Sequence, residues 1–248
     1  MSRIMINSYK SILDSIGGNN KRNRDLWLER TLKKIPKGSK ILDAGAGELQ
    51  YKKFCNHLEY VSQDFGQYDG KGDKKGLQTE RWDNTKLDIV SDITNIPVPD
   101  SSFDAIMCIE VFEHIPEPIK AIKEFSRILK RGGMLILTAP VCSYTHFAPF
   151  YFYNGFSTYF YRKFLKDNCF EILEISFNGN YFGYIAHTLY MVPTFIGKYS
   201  KNGGRIFKVL FSIMILPILI MLFYFSKKDK GSEEILSYGI NVKAIKVE

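Results

Sequence analysis

The sequence predicts an α/β fold built on a parallel β-sheet. Short apolar runs alternate along the chain with longer segments whose apolar residues recur at helical spacing. Several of the apolar runs end on an acidic residue. A chain of 248 residues with 45% hydrophobic residues is long enough to bury one substantial core of this kind.

The predicted elements follow one another regularly. They are, in order, a helix at 24–35 ended by Pro36–Gly38, a strand at S-K-I-L-D (39–43), a helix at 48–58, strands at 58–64, 88–92 and 103–110, a helix at 117–130 stopped by Arg131-Gly132-Gly133, and a strand at 134–140. The connection 65–87 is rich in Gly, Asp and Lys, with Leu77 and Trp82 as its expected apolar contacts. The rest of the connection is too polar to pack, and Gly66–Gly76 within it predicts either a solvated loop or a mobile lid.

Four acidic residues stand at the ends of consecutive predicted strands: Asp43, Asp64, Asp92 and Glu110. In parallel sheets a ligand binds outside the carboxyl ends of the strands, so these acids should lie close together there. Carboxylates accept hydrogen bonds and attract cations. The set therefore favours a ligand that has hydroxyl groups and a positive charge.

The loop after the first strand, D-A-G-A-G-E-L-Q, is poorly suited to phosphate. A dinucleotide fingerprint needs a third glycine where this chain has Gln50, and the Gly-Lys-Ser/Thr of a Walker loop is absent. Asp43, two residues before the first glycine, would also repel a pyrophosphate.

Four motifs in consistent order across residues 38–141 are similar to those of class I S-adenosylmethionine-dependent methyltransferases, in particular the type 11 group. They are I-L-D-A-G-A-G, V-S-Q-D, D-I-T-N-I-P-V-P-D-S-S-F-D, and E-V-F-E-H-I-P-E-P followed by R-I-L-K-R-G-G-M-L-I-L. Leu49 and Arg131 depart from that pattern. The resemblance implies a Rossmann-like, mainly parallel seven-stranded sheet with an antiparallel last strand, in which 170–177 and 241–247 are strands six and seven.

The resemblance also implies S-adenosyl-L-methionine as cofactor and a role for individual residues. Gly45 and Gly47 would let the backbone approach the methionyl part, and Asp43 would order its ammonium group. Asp64 would accept the ribose hydroxyls. The alternative for Asp64, as for the acid after strand three, is a turn or helix-capping residue.

Two further positions complete the implied cofactor site. Asp92 and the Ile93 backbone would take the adenine amino group, and Glu110 with the following turn would form the floor of the sulfonium pocket. Asp104, at the start of a strand, is predicted to be a structural cap instead.

Two histidines are candidate catalytic bases, because a hydroxyl acceptor must lose a proton during methyl transfer. They are His114, after strand four, and His146, after strand five; a capping and an ordinary loop role are the respective alternatives. His57 is predicted to lie on the surface of a helix. The aromatic-rich residues 143–161 could wall an acceptor pocket or form part of the core.

The four cysteines are scattered, without a Cys-x-x-Cys pair or a histidine at ligand spacing. This pattern predicts free thiols and no metal site. The chain carries a net charge of +8 but no nucleic-acid recognition motif, so no nucleic-acid partner is expected. The N-terminal ten residues lack the apolar core of a signal peptide, which favours a cytoplasmic protein.

Residues 209–225 are almost wholly apolar, with Pro217 at their centre and basic residues on both sides. Their length is near the ~17-residue minimum for a membrane span. A span would put 241–247 on the wrong side to join the sheet, so we expect a bent helical insert that dips into the inner membrane interface or packs in a dimer. A single-pass protein is the alternative.

These observations predict four segments. They are an N-terminal helical segment (1–37), a methyltransferase core (38–182), a helical insert (183–236) and a final core strand (237–248). The predicted function is methyl transfer to a small or lipid-linked acceptor, such as a hydroxyl of a cell-surface glycan precursor or a quinone-like lipid. A non-catalytic, membrane-associated cofactor-binding module and an NAD-dependent oxidoreductase are the alternatives.

Overall fold

A seven-stranded sheet in the order β3-β2-β1-β4-β5-β7-β6 forms the framework of the protein. The computed structural model describes residues 18–201 and 204–248, so the expectation about the first ten residues lies outside the described part. The elements are α1 (Asn19–Leu32), β1 (Lys40–Ala44), β2 (Glu59–Asp64), β3 (Ile89–Val90), β4 (Phe103–Ile109), α2 (Pro118–Ile128), β5 (Leu129–Pro140), α3 (Thr158–Lys166), β6 (Phe170–Asn178), α4 (Tyr181–Tyr199), α5 (Arg205–Lys227) and β7 (Gly239–Lys246).

The sheet is mainly parallel, as predicted. β1 pairs in parallel with both β2 and β4, β2 with β3, and β4 with β5, whereas β7 runs antiparallel to β5. The α/β, Rossmann-like class I methyltransferase fold with an antiparallel last strand is thereby confirmed. Strand order reverses between β1 and β4, which is where ligands bind in sheets of this type.

The buried strands carry apolar side chains on both faces, which explains why the sequence reads as continuous apolar runs. One core cluster packs Leu28 and Leu32 of α1 against Ile41, Met107 and Ile136 of the central strands. The apolar pattern of α1 therefore covers one face of the sheet.

Two local predictions are wrong. Residues 48–58 form turns and a short 3₁₀ helix at Lys52–Phe54, because Gly47 and Leu49 have φ values of +51° and +60°, which a right-handed helix excludes. Arg131-Gly132-Gly133 does not follow the helix but lies within β5, which begins at Leu129. Gly132 has φ +75°, and the pairing register with β4 shifts there.

By their internal contacts the described residues divide into two units: Trp27–Ser176 with Gly239–Glu248, and residues 18–26 with Phe177–Tyr238. The first unit contains almost all of the sheet. The second contains α4 and α5, which form an antiparallel pair because Asn180, at the start of α4, hydrogen-bonds Ser226 near the end of α5. Ala186, Ile215 and Leu219 are buried between these two helices.

Candidate active site

The glycine loop follows β1 at the point where the strand order reverses. The backbone N–H groups of Gly45 and Ala46 donate to the carbonyl of Gln63, 2.8 and 2.9 Å away. Gly45 and Gly47 have φ values of +79° and +51°, which side chains rarely adopt. The loop therefore turns sharply at the carboxyl edge of the sheet.

There is no room for side chains at either glycine. A Cβ on Gly45 would lie 2.5 Å from a methyl of Val111, and a Cβ on Gly47 would lie 2.5 Å from the ring of Trp82. Leu49, the departure from the family pattern, also has a positive φ of +60°. A glycine would fit the Leu49 backbone conformation without strain.

Asp64 connects the glycine loop to the end of β2. Its carboxylate accepts hydrogen bonds from the N–H groups of Gly47 (3.0 Å) and Gly66 (2.9 Å), and the residue is 8% exposed. Burial raises the pKa of Asp64, and these backbone donors partly offset that effect. A carboxylate has about four acceptor positions, so it retains capacity for further donors.

Asp43 is buried, with 1% of its surface exposed. Its carboxylate accepts a 2.6 Å hydrogen bond from the hydroxyl of Tyr60, a neighbour that the sequence did not indicate. Burial raises the pKa of Asp43 to about 7; the Tyr60 hydrogen bond opposes this increase and the negative charge of Asp64 adds to it. At neutral pH Asp43 is therefore partly protonated.

Asp92 lies two residues beyond β3 and is exposed. One of its carboxylate oxygens accepts from the N–H and the hydroxyl of Thr94, both at 2.8 Å. This is the turn geometry that the sequence raised as an alternative. The following Ile93 is buried. Asp104 has the capping role expected of it: it accepts from the N–H of Lys40 and pairs with Lys130.

Glu110 follows β4 directly, with a φ of +57°. Its backbone N–H donates to the carbonyl of Thr138 on β5, and its carboxylate accepts from the Thr138 hydroxyl at 2.8 Å. These two bonds hold the Glu110 side chain against the neighbouring strand at the carboxyl edge of the sheet.

The two candidate histidines are brought together, although 31 intervening residues separate them in the sequence. The His114 and His146 rings lie 4.6 Å apart between centroids. Each Nε2 lies 3.8 Å from the same carboxylate oxygen of Glu113, a residue that is 1% exposed. His57 is elsewhere: it lies in a turn rather than a helix, with Nε2 3.2 Å from the carbonyl of Leu32.

Burial determines the charge of both rings. It lowers the pKa of His114 to about 3, an effect to which the neighbouring His146 adds, and it also lowers the pKa of His146. Both imidazoles are therefore neutral at physiological pH. A pKa near 3 makes His114 a weak general base, since bases work best near the operating pH.

Comparison with known proteins shows what the chain resembles. Residues 42–137 match the family model described as a methyltransferase domain of type 11. The demethylmenaquinone methyltransferase of Staphylococcus carnosus is 30% identical over 119 residues, which are 45% of this chain and 48% of that protein. The chain thus spans about half the length of the curated relatives it matches.

Other relatives match shorter stretches or the fold alone. A ubiquinone biosynthesis O-methyltransferase of Xanthomonas oryzae is 49% identical over 37 residues, 15% of this chain and 16% of that protein. The phosphoethanolamine N-methyltransferase 2 of Haemonchus contortus, solved with S-adenosyl-L-methionine, has a TM-score of 0.54 at 16% identity over 95% of this chain and 56% of that chain. This last likeness concerns the fold.

The polar loop 65–87 of the methyltransferase domain is packed, contrary to the sequence prediction. Tyr68 is 3% exposed and stacks on Phe147 at 4.6 Å between centroids, and Trp82 contacts both rings. Leu77 pairs with the segment before Phe147 through backbone hydrogen bonds to Thr145 and Phe147. Loop 65–87 therefore braces the loop that carries His146.

Sequence reasoning missed Glu113, although it lies inside the quoted E-V-F-E-H motif. The acid adjacent to His114 was the available signal. Tyr60 and Thr138 were also missed, because their roles depend on contacts between segments distant in the sequence. Trp82 was expected to pack, but its contact with Gly47 was not foreseen.

Proposed function

We propose that this protein transfers a methyl group from S-adenosylmethionine to a small or lipid-linked acceptor at a membrane surface. The observation that carries the proposal is the glycine loop of the type 11 domain, joined to Asp64 at the strand-order reversal. The proposed function is an activity of this chain; the relatives support the reaction class only.

The residues present fit the cofactor that the family implies. Gly45 and Gly47 make the sharp turn after β1 with positive φ values and without side chains, which leaves their backbone groups uncovered by a Cβ. Asp64 supplies a partly buried acceptor, and Asp92 has a second carboxylate oxygen that accepts no hydrogen bond within the described residues. The cofactor would supply a methyl group on a positively charged sulfur, already activated for displacement.

The chain's own groups would bind and align the reactants. Asp64 would accept the ribose hydroxyls, Asp92 with Ile93 the adenine edge, and Glu110 would place negative charge next to the sulfonium pocket. Asp43 would act on the ammonium end through its buried carboxylate. Alignment of this kind contributes much of the rate in a displacement reaction.

The apolar helix α5 supports a lipid-linked acceptor. One stretch of the described residues, Val209–Lys227, is long and apolar enough to cross a membrane, and 11% of it is buried. Side chains that would form the core of a soluble helix are exposed, including Ile206, Phe207, Leu210, Ile213, Met214, Ile218, Ile220 and Met221. A quinone-like lipid or a lipid-linked glycan precursor would reach an enzyme anchored through this helix.

The antiparallel pairing of α4 and α5 removes the topological objection to membrane contact. A helical hairpin enters and leaves a membrane on the same side, so β6 before it and β7 after it can belong to one sheet. Lys227 and Lys228, at the end of α5, lie over the rings of Phe223 and Tyr224, in the arrangement typical of interfacial anchors.

Titration calorimetry with S-adenosylhomocysteine, and with NAD in parallel, tests the cofactor. We expect binding of the first ligand only, weakened by about 1–3 kcal/mol in Asp64→Asn through loss of a charged acceptor. Asp104→Asn is the matched control, because Asp104 also accepts a backbone N–H but caps the opposite edge of the sheet. NAD binding, or equal weakening by both variants, would contradict the proposal.

Turnover separates an enzyme from a binding module. Mass spectrometry should detect methylated product and S-adenosylhomocysteine when the protein is incubated with S-adenosylmethionine and a demethylated quinone or a lipid-linked glycan in vesicles. Tight cofactor binding without product on either acceptor class would favour the non-catalytic module.

A further inference from the structure

We propose that Glu113, His114 and His146 form a binding site for a divalent transition-metal ion. Glu113 and His114 belong to the 3₁₀ turn Phe112–His114 after β4, and His146 belongs to the loop after β5. The three candidate ligand atoms lie within 4.8 Å of one another. Both loops begin at the carboxyl edge of the sheet, next to Glu110.

The hydrogen bonds of the two rings fix which nitrogen faces the centre of the cluster. His114 Nδ1 lies against the carbonyl of Phe150, and His146 Nδ1 lies 2.8 Å from the carbonyl of Tyr144. A carbonyl only accepts, so each Nδ1 carries the hydrogen and each neutral ring presents a lone pair on Nε2. Metal-binding histidines are typically oriented by such a bond from their other nitrogen.

The centre of the cluster is lined by nitrogen and carboxylate oxygen atoms. Two Nε2 lone pairs and the Glu113 carboxylate face one another, and the 3.8 Å separations are too long for hydrogen bonds. Within the described residues the buried Nε2 of His114 has no hydrogen-bond partner. A bound cation would give this nitrogen a partner.

The ligand types point to zinc, cobalt or a similar ion. Two imidazoles and one carboxylate suit Zn²⁺ and its neighbours, whereas Mg²⁺ and Ca²⁺ prefer oxygen ligands. Zinc bonds of about 2.0–2.1 Å put tetrahedral ligands about 3.3 Å apart. The two 3.8 Å distances to Glu113 would therefore shorten by about half an ångström, and the widest separation in the cluster, up to 4.8 Å, by at most about 1.5 Å. Three protein ligands also leave a coordination position open, as in catalytic zinc sites.

The cluster is held rigidly enough to be preformed. Phe147 contacts both imidazole rings, at 5.2 and 5.1 Å between centroids. The backbone carbonyl of Glu113 accepts from the N–H groups of Phe152 and Tyr153. The side chains of His114 and His146 are 13% and 23% exposed, which leaves access from solvent.

The open coordination position would let the metal take part in catalysis. This role rests on the proposed methyltransferase function. A bound metal would coordinate the acceptor hydroxyl and lower its pKa, so that the proton would leave to solvent without a histidine base. The oxygen would then form its bond to the methyl carbon as the carbon–sulfur bond breaks, and S-adenosylhomocysteine would be the leaving group. The two histidines would then act as ligands.

Metal binding is tested on the full chain after chelation and dialysis. Calorimetry with Zn²⁺, and the visible absorption of Co²⁺, should show one ion per chain, with Mg²⁺ binding much more weakly. His146→Gln and Glu113→Gln should each weaken zinc binding by roughly tenfold or more. His57→Gln, which removes a histidine outside the cluster, should leave it unchanged. The less buried His146 provides the variant that is expected to fold if Glu113→Gln does not.

The outcomes separate this proposal from the previous one. Zinc binding that is unaffected by His146→Gln, or an affinity for Mg²⁺ equal to that for Zn²⁺, would overturn the metal site. S-adenosylhomocysteine binding is measured on the same metal-free samples. If S-adenosylhomocysteine does not bind but zinc binds in a way that depends on His146, the proposed function is contradicted and the metal site stands. If S-adenosylhomocysteine binds but zinc does not, only the metal site is contradicted.

Discussion

A single carboxyl group, Asp43, should make the stability of the protein depend on pH. Its native pKa of about 7 exceeds the unfolded value of about 3.9, so the native state binds a proton that the unfolded chain has released. The contribution of Asp43 to the free energy of unfolding is therefore largest at low pH and falls as the pH rises through 7. From pH 5 to 7 the loss is roughly 2 kcal/mol, because the slope of about 1.4 kcal/mol per pH unit falls to half as the pH reaches the native pKa.

Urea denaturation between pH 5 and 8 measures this effect. Asp43→Asn should flatten the pH dependence, because the amide oxygen still accepts from Tyr60 but cannot ionise. Asp104→Asn should shift the curve without changing its slope, since Lys130 and the Lys40 N–H lower the pKa of Asp104 and its contribution is lost only in acid. Parallel curves for wild type and Asp43→Asn would show that this carboxyl is not the titrating group.

The substitution Gly47→Ala should disrupt the glycine loop in two ways, by straining the backbone and by a steric clash with Trp82. The positive φ costs a non-glycine residue about 1–2 kcal/mol, and the new Cβ would also collide with the indole. Gly132→Ala carries the same backbone cost at φ +75° with nothing within 4 Å. We expect Gly47→Ala to weaken S-adenosylhomocysteine binding by tenfold or more, about 1.4 kcal/mol. Gly132→Ala should leave this binding unchanged. If both variants bound S-adenosylhomocysteine equally well, the steric explanation would be refuted.

Among the elements, loop 65–87 should depend on one buried side chain. Tyr68 stacks on Phe147, contacts Trp82 and donates to Gln78 at 2.7 Å. Replacing a buried aromatic ring by alanine typically costs about 3–5 kcal/mol. Tyr68→Ala should therefore release the loop from the segment that carries His146, even if the sheet itself stays folded.

Limited trypsin digestion can measure this release, because trypsin cleaves after lysine and Lys71, Lys74 and Lys75 lie in the same loop. Cleavage there should accelerate in Tyr68→Ala. Tyr159→Ala is the control: Tyr159 is 80% exposed, and its loss should change stability by less than about 0.5 kcal/mol. An unchanged cleavage rate in Tyr68→Ala would mean that other contacts hold the loop.

At the scale of the whole molecule, the sequence predicted what depends on local pattern. The central strands were found because a strand such as Phe103–Ile109 is apolar apart from Asp104 near its start. The acids were expected near one another because parallel strands share a carboxyl edge. The turn at 48–58 was missed because the spacing of apolar residues gives no information about the positive φ of Leu49. The Glu113–His114–His146 cluster was missed because its geometry depends on two loops meeting in space.

The exposed apolar surface of α5 should bind membranes. Burying a large apolar side chain contributes about 1.5–3 kcal/mol, and nearby lysines such as Lys227 and Lys228 add about 1 kcal/mol each at an anionic surface. The protein should therefore cosediment with anionic vesicles, and less so in high salt.

The combined substitution Ile213→Glu and Met214→Glu introduces two negative charges on α5. The native side chains are 50% and 70% exposed, so the double variant should still fold. It should reduce vesicle binding at least tenfold, or about 1.4 kcal/mol. Tyr159→Glu adds a charge at an exposed ring outside α5 and should have no effect. If the double variant instead splits a dimer in gel filtration while vesicle binding is weak in every form, α5 is a protein interface. The acceptor then need not be a lipid, whereas Asp64 and the glycine loop would retain their proposed roles.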